Sequence, residues 1–265
     1  MSTTSTRSAP VGQLLRNWRE RRRLSQLALA TSSEVSTRHL SYVETGRARP
    51  SRELVEHLAE HLDVPLRERN RLLLAAGYAP RFTETSWDAP EMAAVRGAIE
   101  QVLAAHDPYP GVVVDGRWNL VSANVSATMF LADVDPSLLQ PPVNVVRVSL
   151  HPAGMASRIG NFGEYSSHLV ERLRRQVDAT ADPGVSELLA EVEEYVPSST
   201  GTHVAADVVL PLVFESPVGE LSLFSTIATF GAPLDVTVSE LAIETFYPTD
   251  TATAERLRAL AQATT

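Results

Sequence analysis

Arg38, Ser41, Tyr42 and Thr45 recur at the spacing of one helix face in T-R-H-L-S-Y-V-E-T, residues 37–45. Leu40 and Val43 fall on the opposite face, with Val35 just ahead of them. A short helix with an apolar back and a front of Arg, Ser, Thr and Tyr has the chemistry to read base edges. Arg38 can chelate guanine N7 and O6, and Tyr42 can pack on a thymine methyl. Thr37, Arg38, Ser41 and Tyr42 are therefore candidate base contacts in a DNA major groove. The segment that follows, Gly46-Arg47-Ala48-Arg49-Pro50-Ser51-Arg52, places three guanidiniums in one loop, a composition that can track phosphates. Ser25, Gln26, Arg47, Arg49 and Ser51 are candidate phosphate contacts.

The elements that must hold these residues are legible around them. Ser25 reads as the N-cap of a helix from Gln26 to Ser32, and Ser36 as the cap of a second from Thr37 to Thr45. Gly46 stands where a helix stop favours a left-handed residue. An earlier helix runs from Val11 to Arg22 with Leu14, Leu15 and Trp18 on one face. Arg21-Arg22-Arg23 ends it, either complementing the helix dipole or touching phosphate. A fourth helix spans Ser51 to Leu62 with Leu54, Val55, Leu58 and Leu62 inward. A fifth runs from Leu66 to Ala76, closed by Gly77.

Over residues 12–78 the chain resembles the lambda-repressor-like, XRE-type helix-turn-helix domain of five helices. The matching points are S-Q-x-x-L-A at 25–30, V-S-x-x-x-L-S-x-x-E-x-G from Val35 to Gly46, and the R-x-R-P-S that follows. The turn reads Ser33-Glu34-Val35, where a Gly before the Val is common in the family. The resemblance implies a structural ion pair between Arg19 and Glu44, and DNA as the partner. The competing reading is a small helical bundle that binds protein.

Composition bounds the rest. The chain has 265 residues, enough for a further domain, and no Cys, which excludes disulfides, thiol nucleophiles and thiolate metal sites. No apolar run approaches the ~20 residues of a membrane span, and M-S-T-T-S-T-R-S-A-P is no signal peptide, so a cytoplasmic location is expected. The net charge is -9, unevenly divided. Residues 1–82 hold 14 Arg against 8 Asp and Glu, whereas the remainder holds 9 against 24. A basic head on an acidic body fits DNA contact by the head alone.

Residues 1–10 are expected to be disordered, 11–78 to form the helix-turn-helix domain, 79–89 a linker and 90–265 a second domain. There a helix starts at Asp88 and Pro90 and carries Met92, Val95, Ile99, Val102 and Leu103. Then the period changes to two. Gly111 to Val114 is a short strand, Asp115-Gly116 a tight hairpin turn, and Arg117 to Ala123 the return strand. Asn124 caps a short helix to Leu131, and Asn144 another that breaks at His151-Pro152. An amphipathic helix from Met155 to Val177 is kinked near Gly160 and Gly163, and a further one spans Val185 to Tyr195. Strands follow at His203–Glu215, Glu220–Phe230 and Val236–Phe246, and Thr251–Ala263 closes as a helix. The sum is an α + (α+β) chain whose second domain is a five-stranded antiparallel sheet with helices on one side.

Residues 90–262 resemble the ligand-binding domain of MmyB-like transcription regulators, a PAS-like fold. The carrying stretches are Y-P-G-V-V-V-D-G-R-W-N-L-V-S-A-N-V-S-A-T-M-F (109–130), N-V-V-R-V-S-L-H-P (144–152), S-P-V-G-E-L-S-L (216–223) and F-Y-P-T-D (246–250). Around 200–209, where the family has aromatic residues, this chain reads T-G-T-H-V-A-A-D-V-V. The resemblance implies a buried apolar pocket with fatty acyl chains as ligand class. Candidate walls are Val113, Trp118, Phe130, Phe162, Leu169, Leu223, Ile227 and Phe246, each with plain core packing as its alternative. A homodimer on a two-fold operator with half-sites ~34 Å apart is expected.

No cofactor is expected beyond such a ligand, and no enzyme. The chain lacks a G-x-S-x-G elbow, a P-loop and a dinucleotide-binding glycine turn. His57-Leu58-Ala59-Glu60-His61 matches the H-x-x-E-H of one metallopeptidase class, but a solvated helix face carrying two His accounts for it. His106, His151, His168 and His203 are scattered singly. The rival function is a protein-interaction adaptor, anchored on DNA by its head and carrying no ligand in its body.

Overall fold

The computed structural model describes residues 10–131, 133–196 and 209–263. The expected disorder of 1–10, apart from Pro10, and the start of the strand expected from His203 lie outside them. The chain divides into two compact units, the first built mainly from residues up to Glu84 and the second mainly from those after it.

The first unit contains α1 (Val11–Arg21), α2 (Gln26–Ser32), α3 (Thr37–Glu44), α4 (Arg52–His61) and α5 (Leu66–Ala75). Serine starts three of them. Ser25, Ser36 and Ser51 accept from the N–H groups of Ala28, His39 and Leu54, satisfying donors that a helix start leaves open. Leu15, Trp18, Leu29, Leu40, Val43, Val55, Leu58, Leu62, Leu72 and Leu73 are buried, each drawn from the apolar stripe of its helix. Gly12 lets α1 lie directly on the end of α3. A Cβ there would stand 2.1 Å from the Val43 carbonyl oxygen. Between α2 and α3 the backbone turns through Glu34 at φ 53°, the left-handed region in which glycine is at ease.

The second unit is a five-stranded sheet in the order β2-β1-β5-β4-β3, antiparallel throughout: β1 (Gly111–Val114), β2 (Leu120–Ala123), β3 (Leu212–Ser216), β4 (Gly219–Thr229) and β5 (Ala242–Pro248). Its helices are α6 (Ala93–His106), α7 (Val145–Leu150), α8 (Phe162–Thr180), α9 (Pro183–Glu193), α10 (Val236–Glu240) and α11 (Thr251–Ala263), with short 3-10 turns between them. Asn124 and Asn144 are buried hubs. Asn124 Oδ1 accepts from Gly111 N and Ala127 N, and Asn144 Oδ1 accepts from Arg147 N at the start of α7.

Three expectations change. The helices cover both faces of the sheet, because the period-2 alternation of β1 and β5 is apolar on both sides. Val113 and Ile243 pack with Ile99 and Leu103 of α6, while Val112, Val114 and Ala242 pack toward α7, α8 and α9. The strand expected at Val236–Phe246 begins only at Ala242. The β4–β5 ladder ends at Thr229↔Ala242, so the residues before it have no strand to pair with and coil into α10, burying Val236. The β1–β2 connection is not a two-residue hairpin. Val114 pairs with Leu120 across a register shift, and Asp115 closes a wider loop by accepting from the N–H groups of Arg117 and Asn119. The long helix foreseen from Met155 is split as its glycines implied, into a 3-10 turn at Ala156–Arg158 and α8.

Candidate DNA-reading face and ligand cavity

In the first unit α3 is anchored from behind. Leu40 and Val43 are buried, and Glu44 at its end is the centre of a polar clamp. Arg19 Nε donates to Glu44 Oε1 at 2.7 Å and Nη2 to Oε2 at 2.9 Å. Arg19 Nη1 also donates to the Leu24 carbonyl at 2.8 Å, which ties α1 to the entry of α2. This bidentate, hydrogen-bonded geometry is what makes a buried ion pair tolerable. Gln26 joins it, its Nε2 donating to Glu44 Oε2 at 2.8 Å. The side-chain amide of this candidate phosphate contact is thus used inside the fold.

The front of α3 carries Thr37 and Arg38 exposed, with Ser41 and Tyr42 half-buried. Arg38 Nε donates to the Tyr42 hydroxyl at 3.0 Å, and the guanidiniums of Arg38 and Arg47 stand 5.4 and 6.0 Å from the Tyr42 ring centre. Three candidates thus form one patch on the surface. Ser25 and Ser51 are exposed but act as helix caps. Arg49 donates through Nη2 to the Ala76 carbonyl at 3.0 Å and lies 5.7 Å from the Tyr78 ring centre, so it closes the end of α5. On α4, His57 Nε2 and His61 Nδ1 bond to the carbonyls of Ser33 and His57, and among the described residues no cluster of His, Asp and Glu suited to a metal occurs.

In the second unit an apolar cavity of about 90 Å³ lies between the sheet and the helices of one face. Its walls come from β1, β2 and β5 (Val112, Leu120, Phe246), the turn at Val125–Leu131 (Ala127, Phe130), α7 (Val145, Val146, Val148) and α8 (Tyr165, Leu169). Phe130 stands edge-on to Phe214, ring centres 5.1 Å apart, and lies 5.5 Å from Phe246. Trp118 lines the cavity from the β1–β2 connection, at φ 67°. That left-handed backbone, uncommon for an aromatic residue, is held by its surroundings: Trp118 Nε1 donates to Gln176 Oε1 at 2.6 Å, and the Arg172 guanidinium stands 4.2 Å from the ring centre.

Of the candidate walls, Trp118, Phe130, Leu169 and Phe246 line the cavity. The others do not. Val113 faces α6 on the opposite side of the sheet; Phe162 and Leu223 pack in the core beside it; Ile227 is 43% exposed where β4 leaves the core. Four polar wall residues were not among the candidates, Thr128, Ser149, Tyr165 and Glu244. Ala242, Glu244 and Phe246 alternate along β5, so a carboxylate on a strand's buried face was the available signal. Glu244 is 9% exposed, and Arg172 Nη1 donates to its Oε1 at 3.4 Å. Burial first, and then the charge of Glu244, push the Tyr165 phenol above its ordinary pKa, so it keeps its proton.

Residues 95–260 match the family model of the MmyB-like transcription regulator ligand binding domain, and residues 10–72 match that of a helix-turn-helix domain. No curated protein matches the chain. Among solved structures, one described as an RNA-binding Light-Oxygen-Voltage receptor aligns over 98% of this chain and 64% of its own length, at 13% identity and a TM-score of 0.28. The chain therefore spans less than two thirds of that relative, and a likeness this loose carries no argument. Among the described residues no helix is long and apolar enough to cross a membrane. With a helix-turn-helix domain ahead of a ligand-binding domain that fills more than half of its length, the chain belongs to the MmyB-like transcription regulators.

Proposed function

We propose that this ligand-regulated transcription regulator reads a specific DNA operator through α3 and responds to a small apolar molecule held in the cavity of its second unit. Thr37, Arg38, Ser41 and Tyr42 meet base edges, while Arg47 and the backbone at the capped helix starts of Ser25 and Ser51 meet phosphates. One head buries too little surface for useful specificity, so a homodimer on a two-fold site is the working form. The observation that carries this reading is the patch of Arg38, Tyr42 and Arg47 on the exposed face of α3, above a back wholly buried in Leu40 and Val43.

The cavity supports the sensor half. Its walls are mostly apolar, it is far larger than the ~10–15 Å³ that one water requires, and such walls suit the hydrocarbon chain of the acyl ligand class that the family resemblance implies. The strand order β2-β1-β5-β4-β3 supports the PAS-like reading of the unit around it. A ligand-free adaptor would need no such space. The test is operator selection from random duplexes, followed by binding of the Arg38→Ala variant. A loss of about 1–3 kcal/mol on the selected site with relaxed preference at one base position is expected. A loss equal on all sequences would reduce Arg38 to a phosphate contact.

A further inference from the structure

An apolar ligand still has a polar end, and the cavity wall states what that end can be. Among the described residues that line it, Glu244 is the only charged one. Arg172, the cation bonded to Glu244, does not line the cavity. It lies over Trp118 at 4.2 Å and gives Glu244 one long hydrogen bond at 3.4 Å. A ligand carboxylate would add a second negative charge to the Glu244–Arg172 pair, with no further cation in the wall to receive it, and so leave an excess negative charge in an apolar site. A ligand ammonium would meet a carboxylate whose charge Arg172 already offsets, leaving an excess positive charge in an apolar site, which is costly. An uncharged O–H donor has neither problem, because it gives its hydrogen to Glu244 and buries no charge. The Tyr165 phenol stands in the same wall and beside Ser149, a second polar group within the ligand's reach.

We infer that the cavity takes an apolar molecule whose polar end is an uncharged hydrogen-bond donor, a hydroxyl, received by the Glu244 carboxylate. This rests on the reading of the cavity as a ligand site and narrows its ligand to alcohols rather than carboxylate-ended chains. Calorimetric titration of the full chain at neutral pH with 1-decanol, decanoate and decylamine tests it, with displacement of Nile red as an independent measure of cavity occupancy. Decanol binding at least about tenfold tighter than decanoate, and tighter than decylamine, is expected. In Glu244→Gln the preference over decanoate should shrink to about threefold or less, through tighter decanoate binding. Equal affinity for decanol and decanoate in the wild type, tighter binding of decylamine, or an unchanged preference in a folded Glu244→Gln would each overturn the inference. The wild-type comparison needs no variant, so a misfolded Glu244→Gln leaves it decisive. If none of the probes, Nile red included, binds at all, the ligand-site reading itself falls, and the inference with it.

Discussion

Glu34 occupies a backbone position made for glycine. At φ 53° its Cβ crowds the following carbonyl, a conformation that costs an L-residue on the order of 1–2 kcal/mol. The turn forms nonetheless, because both flanking helices are fixed elsewhere: α2 by buried Leu29 and Ala30, and α3 by Leu40 and Val43. Glu34→Gly relieves the strain while adding freedom to the unfolded chain, so a net gain of about 0.5–1 kcal/mol is expected. Chemical denaturation of the first unit, followed by helical circular dichroism, measures it. No gain would mean that interactions of the Glu34 side chain offset the strain. At the same scale, the exposed side chains of Thr37 and Arg38 needed only helical spacing to be found. The internal partners of Gln26 and Arg49 were not legible, because Glu44 and the Ala76 carbonyl lie 18 and 27 residues away in the chain.

Elements repeat that division between local and distant causes. The capped starts of α2 and α3 were legible because Ser25 and Ser36 act within three residues of themselves, as Ser51 does at the start of α4. The break between the 3-10 turn at Ala156–Arg158 and α8 was legible in its glycines. The start of β5 was not. Val236-Thr237-Val238 has strand propensity, and only the end of its partner strand β4 turns it into a helix. Nor was the side of the sheet on which Val113 lies, since β1 is apolar on both faces and its alternation gives no sign. The same reasoning makes the α1–α3 contact a place where one methyl matters. Gly12→Ala would push a Cβ into the backbone carbonyls of Val43 and Glu44, which cannot rotate away as a side chain can. A loss of about 3 kcal/mol is expected, read as a fall in the denaturation midpoint of the first unit. DNA binding should fall with it, since α3 is the element displaced. An unchanged midpoint would show that α1 can slide.

For the whole molecule the division of charge decides how it meets DNA. Fourteen Arg against 8 acidic residues before position 83, and 9 against 24 after it, give a head drawn to phosphate and a body repelled by it. Operator affinity should therefore fall steeply with salt, by a slope near 0.9 for each phosphate neutralised. Arg47→Ala should lower that slope by about one on every sequence alike, in contrast to Arg38→Ala. An unchanged slope would remove Arg47 from the phosphate contacts. Affinity measured from 50 to 300 mM potassium chloride reads both.

Trp118 joins two properties seldom found in one side chain. It lines the cavity, and its indole is fixed by Gln176 on one edge and Arg172 on one face. The other two tryptophans stand apart from the cavity wall: Trp18 is 5% exposed in the first unit, and Trp87 packs with α6. A guest that enters changes the dielectric seen by one chromophore and leaves the other two as internal standards. If the cavity takes a ligand as proposed, Trp118 would serve as a spectroscopic gauge of occupancy, readable as a shift in ultraviolet emission without any label.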